Sequence, residues 1–251
     1  MDSSKIPTVD SLQKNVLFAF MALAIFIPPL GSTPISPSNQ PSALIVSSTQ
    51  NQSPMLYLDR VTAELKQAGY NVTFLNSNTI TLNLFTAAQL DQYEIIIWRT
   101  DTYMLGNTMY WYLGEQNNES YAGSIGVRTI AVTNGMLAVD QEFFKSNFAP
   151  NSLSNIQLAI LMSSMSITVA QSLTAAGVKS TIDLYQTIDW TVAPPSLLDW
   201  VTWSLVGYLT TGNDVSDSIY KTIYNYEYAG SINDSSLPPI SFLGNGNLKI
   251  V

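Results

Sequence analysis

Two clusters of polar residues each follow a buried, apolar run of the sequence. The first is Arg99-Thr100-Asp101, directly after YEIIIW, and the second is Ser163-Ser164, directly after IQLAILM. In an open parallel sheet, ligands and catalytic groups gather beyond the carboxyl ends of the strands. If both runs are strands of one sheet, we expect Asp101 and Ser163 or Ser164 to meet across one crevice. In the structural alternative, Asp101 is a turn residue and the serines cap a helix.

The residue types that the chain lacks narrow this chemistry. It contains no Cys and no His, which excludes thiolate nucleophiles, disulfides, imidazole bases and the zinc sites that need either residue. Carboxylate pairs, Ser or Thr activated by Lys, and oxygen-ligated Ca²⁺ or Mg²⁺ sites are what remains. Neither Ser163 nor Ser164 lies in the Gly-x-Ser-x-Gly pattern of a nucleophile elbow. We predict no metal site and no cofactor.

Two carboxylate pairs keep a glycan hydrolase open as an alternative. Asp183 with Asp189, or Asp101 with Glu115, could cleave a glycosidic bond if the two groups lie at a suitable separation. Spacing in the sequence does not supply that distance.

An aromatic cluster adjoins the first polar cluster. Tyr103, Tyr110, Trp111 and Tyr112 precede a polar loop that begins at Glu115. Such rings stack on sugars or line a partner surface, and the alternative is packing within a strand. The candidate binding residues are Arg99, Thr100, Asp101, Glu115, Tyr110 and Trp111.

The composition predicts a packed, weakly charged globule. Of 251 residues, 46% are apolar and 11% are charged, against a usual charged share of about 25%. A net charge of −8 argues against a phosphate-backbone partner. We therefore predict no nucleic-acid binding.

The first forty residues predict export. Residues 16–27 are unbroken apolar residues, fewer than the roughly 20 that span a bilayer. This run suits the core of a signal peptide, or a retained membrane tether, within a leader of residues 1–30. A Pro/Ser-rich linker follows at residues 31–42. In an exported or surface-anchored protein, four Asn residues would be glycosylation acceptors: Asn51, Asn71, Asn118 and Asn233.

Residues 43–251 alternate between strand and helix patterns, which predicts one α/β domain with a mostly parallel sheet. We expect the segments 109–113 and 128–132 to form a hairpin or an excursion. The segment 248–251 is expected to end the chain as a strand. Helices are expected at residues 58–68, 167–174, 195–209 and 215–226, with Asp214 or Asn213 capping the last.

Read in order, several stretches resemble the exported caspase-like peptidases, the group of gingipains and clostripain. The matching stretches are ALIVSS, LKQAGYNVTFLNSNTITLNLFTAAQLDQYEIIIWRTD, YLGEQ, AILMSSMS, AQSLTAAGV and FLGNGNLKIV. The resemblance implies a caspase-like, three-layer α/β sandwich. It also implies a catalytic His after the third strand and a catalytic Cys after the fourth.

Both catalytic positions are substituted. Family members read approximately Arg-Thr-His where this chain has Arg99-Thr100-Asp101, and the Cys position falls within residues 162–165, at Ser163 or Ser164. An Asp with a pKa near 4 is a weak base for a hydroxyl. The resemblance therefore implies an inactive pseudopeptidase that binds peptide, protein or glycan at the cell surface. A structural cell-envelope subunit that self-associates is the further alternative.

Overall fold

The computed structural model describes residues 40–48, 56–77, 79–116, 130–133, 135–163, 165–184, 195–228 and 240–251. The predicted leader 1–30 and most of the linker 31–42 lie outside these residues. The strands are β1 (Ser42–Ser48), β2 (Asn71–Asn76), β3 (Ile95–Thr100), β4 (Thr102–Leu105), β5 (Thr108–Gln116), β6 (Ile130–Thr133), β7 (Met136–Val139), β8 (Leu158–Met162), β9 (Ser180–Leu184) and β10 (Ile240–Gly244). The α-helices are α1 (Leu56–Gln67), α2 (Ala87–Leu90), α3 (Gln141–Asn147), α4 (Ile167–Ala175), α5 (Pro195–Thr210) and α6 (Val215–Tyr228), and a 3₁₀ helix covers Leu82–Phe85.

A six-stranded sheet is the centre of the domain. Its order is β10-β9-β8-β3-β1-β2, and every neighbouring pair is parallel except β9 with β10. The prediction of an α/β domain with a mostly parallel sheet is confirmed. All described residues of β3 and β8 are buried, as expected for parallel strands covered on both faces.

Successive residues of each strand contact different cores on the two faces of this sheet. Ile45 and Ile97 belong to the cluster that α1, α5 and α6 cover with Val61, Leu205 and Val215. The opposite face is packed by α3, α4 and the smaller sheet, whose residues join these strands in a second apolar cluster. The large sheet is therefore the middle layer, with one hydrophobic core on each face. Helices α1, α5 and α6 cover one core, and α3, α4 and the smaller sheet cover the other.

The smaller sheet is an antiparallel excursion after β3, in the order β4-β5-β7-β6. Of the two alternatives for segments 109–113 and 128–132, the excursion is the one observed, and the two segments do not pair as a hairpin. Strand β5 pairs instead with β4 and β7, and β6 pairs with β7. Tight turns connect β4 to β5 and β6 to β7: Gly106 has φ +61 and Gly135 has φ +77, conformations that glycine adopts at little cost.

The expected strand at 248–251 is wrong. These residues form isolated hydrogen bonds with other segments and do not join the hydrogen-bond ladder of a sheet. The carbonyl of Leu248 accepts from the Val215 amide at 3.1 Å. The Tyr70 hydroxyl donates to the Ile250 carbonyl at 2.7 Å. Leu248 and Ile250 pack against the core below α1, α5 and α6, so the end of the chain closes that layer.

The helix boundaries follow local signals. Asp214 accepts a hydrogen bond from the Asp217 amide at 2.8 Å, which confirms the predicted cap of α6. Asp140 caps α3 by accepting from the Glu142 and Phe143 amides, and α3 itself was not predicted. Within the described part of the chain, no helix has both the length and the apolar character needed to cross a bilayer.

Candidate functional site

The carboxyl ends of β1, β3 and β8 lie side by side. Ser48 pairs with Thr100, and Arg99 pairs with Met162. Asp101 follows Thr100 at this edge, and Ser163 follows Met162. The structure thus places the two polar clusters on neighbouring strand ends of one sheet. Ser164 lies outside the described residues.

Arg99 forms an ion pair that the sequence analysis missed. Its Nη2 atom lies 3.0 Å from Oδ1 of Asp199, and both side chains are buried. Burial raises the pKa of Asp199 to about 6, although the Arg99 charge acts in the opposite direction. A signal was present in the sequence: Asp199 is the single charged residue within the stretch PSLLDWVTWSLVGYLT. Burying an unpaired carboxylate is strongly unfavourable, so a single Asp in an apolar helix predicts a cationic partner.

Thr100 serves to join the two sheets. Its hydroxyl lies 2.6 Å from the carbonyl oxygen of Tyr112, which also accepts from the Ser48 hydroxyl at 2.8 Å. The Ser48 oxygen in turn accepts from Nε1 of Trp98 at 3.2 Å. Thr100 and Ser48 are buried, so both hydroxyls are engaged inside the protein.

Asp101 occupies the link between β3 and β4. Its carbonyl accepts from the Tyr112 amide at 3.1 Å, which ties the start of the excursion to β5. The residue as a whole is half-buried. Its position just past the strand end agrees with both the turn interpretation and the cleft interpretation.

The loop after β8 has an uncommon backbone. Ser163 is buried, whereas Met165 has φ +51 and exposes 38% of its surface. Residues other than Gly, Asn and Asp rarely adopt this left-handed conformation, and it concentrates at functional sites. Ser166 precedes α4 with no side-chain capping bond, and its hydroxyl lies 3.4 Å from the Leu161 carbonyl.

The aromatic cluster divides between the two faces of the smaller sheet. Tyr103 contacts Tyr110 and Tyr112, with ring centroids 5.3 Å apart in each pair. Burial, followed by the proximity of these two tyrosines, raises the pKa of Tyr103 to about 12. Trp111 faces the other way and meets Phe144 edge-on at 6.4 Å. Tyr110 and Trp111 are both buried, so they act first as packing residues.

A cavity of about 180 Å³ lies between the β4–β5 hairpin and the start of α4. The hairpin contributes Asn107, Thr108, Met109 and Trp111 to its lining. Gln141, Met165 and Thr168 complete the lining. Because Met165 is two residues beyond Ser163, this hairpin pocket adjoins the edge that carries the two polar clusters.

The remaining predicted residues are scattered. Asp183 is fully buried on β9 and accepts from the Ser241 hydroxyl at 2.9 Å; burial raises its pKa. Its proposed partner Asp189 lies outside the described residues, as does the side chain of Glu115 on β5. Asn71 is exposed at the start of β2, whereas Asn51, Asn118 and Asn233 lie outside the described part. Across the described ranges, no group of three or more Asp or Glu side chains could hold a metal ion.

Comparison of the chain with protein-family models and with curated proteins found no match in either set.

Proposed function

We propose that the chain is an exported, catalytically inactive caspase-like pseudopeptidase that binds peptide segments of other proteins. The binding site is its former cleft, the edge of the large sheet that carries Asp101 and Ser163. The observation that carries this proposal is the pairing of β3 with β8, in which Arg99 lies opposite Met162. The resemblance in the sequence implies catalytic residues after the third and fourth strands, and β3 and β8 are the third and fourth strands of the large sheet along the chain. Asp101 and Ser163 follow them.

The residues at these positions cannot perform the family's chemistry. A Cys–His dyad requires a thiolate and an imidazole, and the chain contains neither residue. Ser163 exposes 2% of its surface, so a substrate carbonyl has little access to its hydroxyl. Arg99 and Thr100, the other polar groups at this edge, are engaged with Asp199 and Tyr112. Binding without cleavage is the function that these residues can support.

Peptide is a better ligand than glycan for this edge. Stacking on a sugar needs an open aromatic face, but Tyr110 and Trp111 expose only 7% and 2% of their surface. By contrast, the apolar side chains Met104, Leu105 and Met165 are exposed. Met104 pairs with Met109, which lines one pocket together with Met165, and exposed apolar groups near one another mark protein contacts.

The test uses the full-length chain and a peptide mixture obtained by digesting a whole proteome. We expect mass spectrometry to show no cleavage, while the immobilised protein retains a subset of the peptides. Cleavage by the wild-type chain would overturn the inactive assignment, and retention of no peptide would overturn the binding assignment. Release of reducing sugars from polysaccharides would instead support the carboxylate-based glycan hydrolase. Concentration-dependent self-association without peptide retention would support a structural envelope subunit.

Restoring the dyad tests the family assignment separately. The variants Asp101→His/Ser163→Cys and Asp101→His/Ser164→Cys differ only in the position of the thiol. If the former cleft is that of a caspase-like peptidase, we expect one of the two to cleave retained peptides. The single variant Asp101→His is the matched control and should remain inactive. Failure of both double variants, with their folds intact, counts against the caspase-like assignment.

A further inference from the structure

The hairpin pocket has the size of one amino-acid side chain. Its volume is about 180 Å³, below the roughly 300–1,000 Å³ typical of pockets that enclose drug-sized ligands. It opens between the turn at Gly106-Asn107 and the loop at Met165. A compact group that projects from an extended chain fits this shape better than a complete cofactor does.

The lining of the pocket selects an uncharged group. None of its seven lining residues carries a charge, and burial of an unpaired charge is strongly unfavourable. Met109, Trp111 and Met165 supply apolar surface, whereas Asn107 and Gln141 supply amides and Thr108 and Thr168 supply hydroxyls. An aliphatic or thioether side chain therefore matches the pocket, and a lysine, arginine or carboxylate does not.

The rim of the pocket extends the apolar surface. Met104 lies opposite Met109 across the hairpin, on the face that carries Trp111, and exposes 56% of its surface. Met165, whose backbone is left-handed, contributes the α4 side of the lining. Unbranched methionine side chains adapt to partners of different shape, so this rim suits a protein segment better than a rigid small molecule.

We propose that the hairpin pocket holds one uncharged aliphatic or thioether side chain of a peptide segment in a partner protein. This inference rests on the proposed function and specifies which side chain the former cleft recognises. The rest of the bound segment lies along the rim formed by Met104 and Met165. No covalent step is involved.

The experiment begins with a phage-displayed random decapeptide library selected on the immobilised full-length chain. Enriched peptides are synthesised with fluorescein, and their affinities are measured by fluorescence anisotropy. We expect one position to be enriched in Leu, Ile or Met. Replacement of that residue by Glu or Lys should weaken binding more than tenfold.

Two variants locate this recognition in the pocket. Thr168→Met fills the pocket and should weaken binding of the aliphatic peptide at least tenfold. It should also reduce the penalty of the Glu replacement to less than twofold. Gln171→Met adds the same side chain to an exposed position of α4, outside the pocket lining, and should bind as the wild type does. Asn107→Lys, on the exposed turn, adds a positive charge and should improve binding of the Glu peptide relative to the Leu peptide. This second variant tests the pocket even if Thr168→Met does not fold.

The outcomes separate the two proposals. If no peptide is enriched, both the pocket assignment and peptide binding are overturned. If peptides bind but show no position that prefers an aliphatic residue, or bind folded Thr168→Met and Asn107→Lys with unchanged preferences, only the pocket assignment is overturned. If the wild type sediments as a dimer that Thr168→Met dissociates, the occupant is a second copy of this chain and the proposed partner is wrong.

Discussion

The guanidinium of Arg99, at the end of β3, lies 3.0 Å from the carboxylate of Asp199 on α5, with both side chains more than nine-tenths buried. The contact is an ion pair and not an aligned hydrogen bond, because Oδ1 of Asp199 has no hydrogen-bond partner of good geometry among the described residues. Loss of water therefore outweighs the attraction to Arg99, and the pKa of Asp199 rises to about 6.

This pKa predicts that part of the stability depends on pH. The folded protein binds the Asp199 proton more tightly than the unfolded chain does, since the folded pKa lies above the ordinary value near 4. The stabilising contribution is complete below about pH 4 and is lost as the pH rises through about 6. We expect the free energy of unfolding of the wild type to fall relative to Asp199→Asn over this interval, by at most about 3 kcal/mol.

Urea unfolding at intervals from pH 4 to pH 8 measures this difference. The other buried carboxyl groups, Asp140 and Asp183, are present in both proteins, so their contributions cancel. Asp59→Asn, which changes an exposed carboxylate on α1, is the control and should show a nearly constant difference. Parallel curves for the wild type and Asp199→Asn would contradict the assignment.

Ser48 and Thr100 should act together, because their hydroxyls share the Tyr112 carbonyl. Ser48→Ala and Thr100→Val should each cost about 1–2 kcal/mol of unfolding free energy, typical of a lost buried hydrogen bond. Either hydroxyl still satisfies the carbonyl when the other is removed. The double variant leaves it without a side-chain donor, so we expect its loss to exceed the sum by about 1 kcal/mol. Strict additivity in a double-mutant cycle would show that the two hydroxyls act independently.

Gly114 should tolerate no side chain. It has φ +90, and an added Cβ would lie 3.0 Å from the Ser77 Cα and 3.2 Å from the Ser48 Cβ. We expect Gly114→Ala to lower the free energy of unfolding by about 2–4 kcal/mol, because conformational strain adds to overpacking. Gly207→Ala is the matched control: it lies within α5 with open space around it and should stabilise by about 0.5–1 kcal/mol. Denaturant unfolding measures the change in unfolding free energy for both variants. Equal changes would refute the close approach at Gly114.

Leu161 borders a small apolar cavity of about 20 Å³ beneath Trp98 and Phe144. Leu161→Ala enlarges this existing space, so we expect a loss near the upper end of the usual 2–5 kcal/mol for such a truncation. Val178→Ile adds one methyl group to the same cavity and should be neutral or stabilise by up to about 1 kcal/mol. Thermal unfolding distinguishes these outcomes, and a large loss for Val178→Ile would mean that the cavity cannot accept a methyl group.

Several features of this protein were predictable because their causes are local. The alternation of apolar runs and helical spacings gave the α/β class, and Asp214 was recognisable as the cap of α6 because a cap acts within one turn. The absence of Cys and His excluded most hydrolytic chemistry without reference to any fold. The two helices predicted over residues 195–209 and 215–226 followed from their apolar spacing.

Other features depend on contacts between distant segments. Asp199 becomes a partner of Arg99 only because α5 packs on the face of β3 that carries Ile95 and Ile97. Trp111 and Tyr110 are neighbours in sequence, yet the pleat of β5 sends them to opposite cores. The hydrophobic segment 248–251 has the composition of a strand, but hydrogen bonds to Val215 and Tyr70 engage its carbonyls outside any sheet.

The amino-acid sequence by itself determined which chemistry is impossible here and the α/β class with its main strands and helices, since residue type and periodicity act over a few positions. Only the tertiary structure decided which strand ends are neighbours and which polar groups form hydrogen bonds inside the protein. It also decided that a pocket lies beside Met165. Those outcomes depend on long-range packing free energy, which local pattern does not encode.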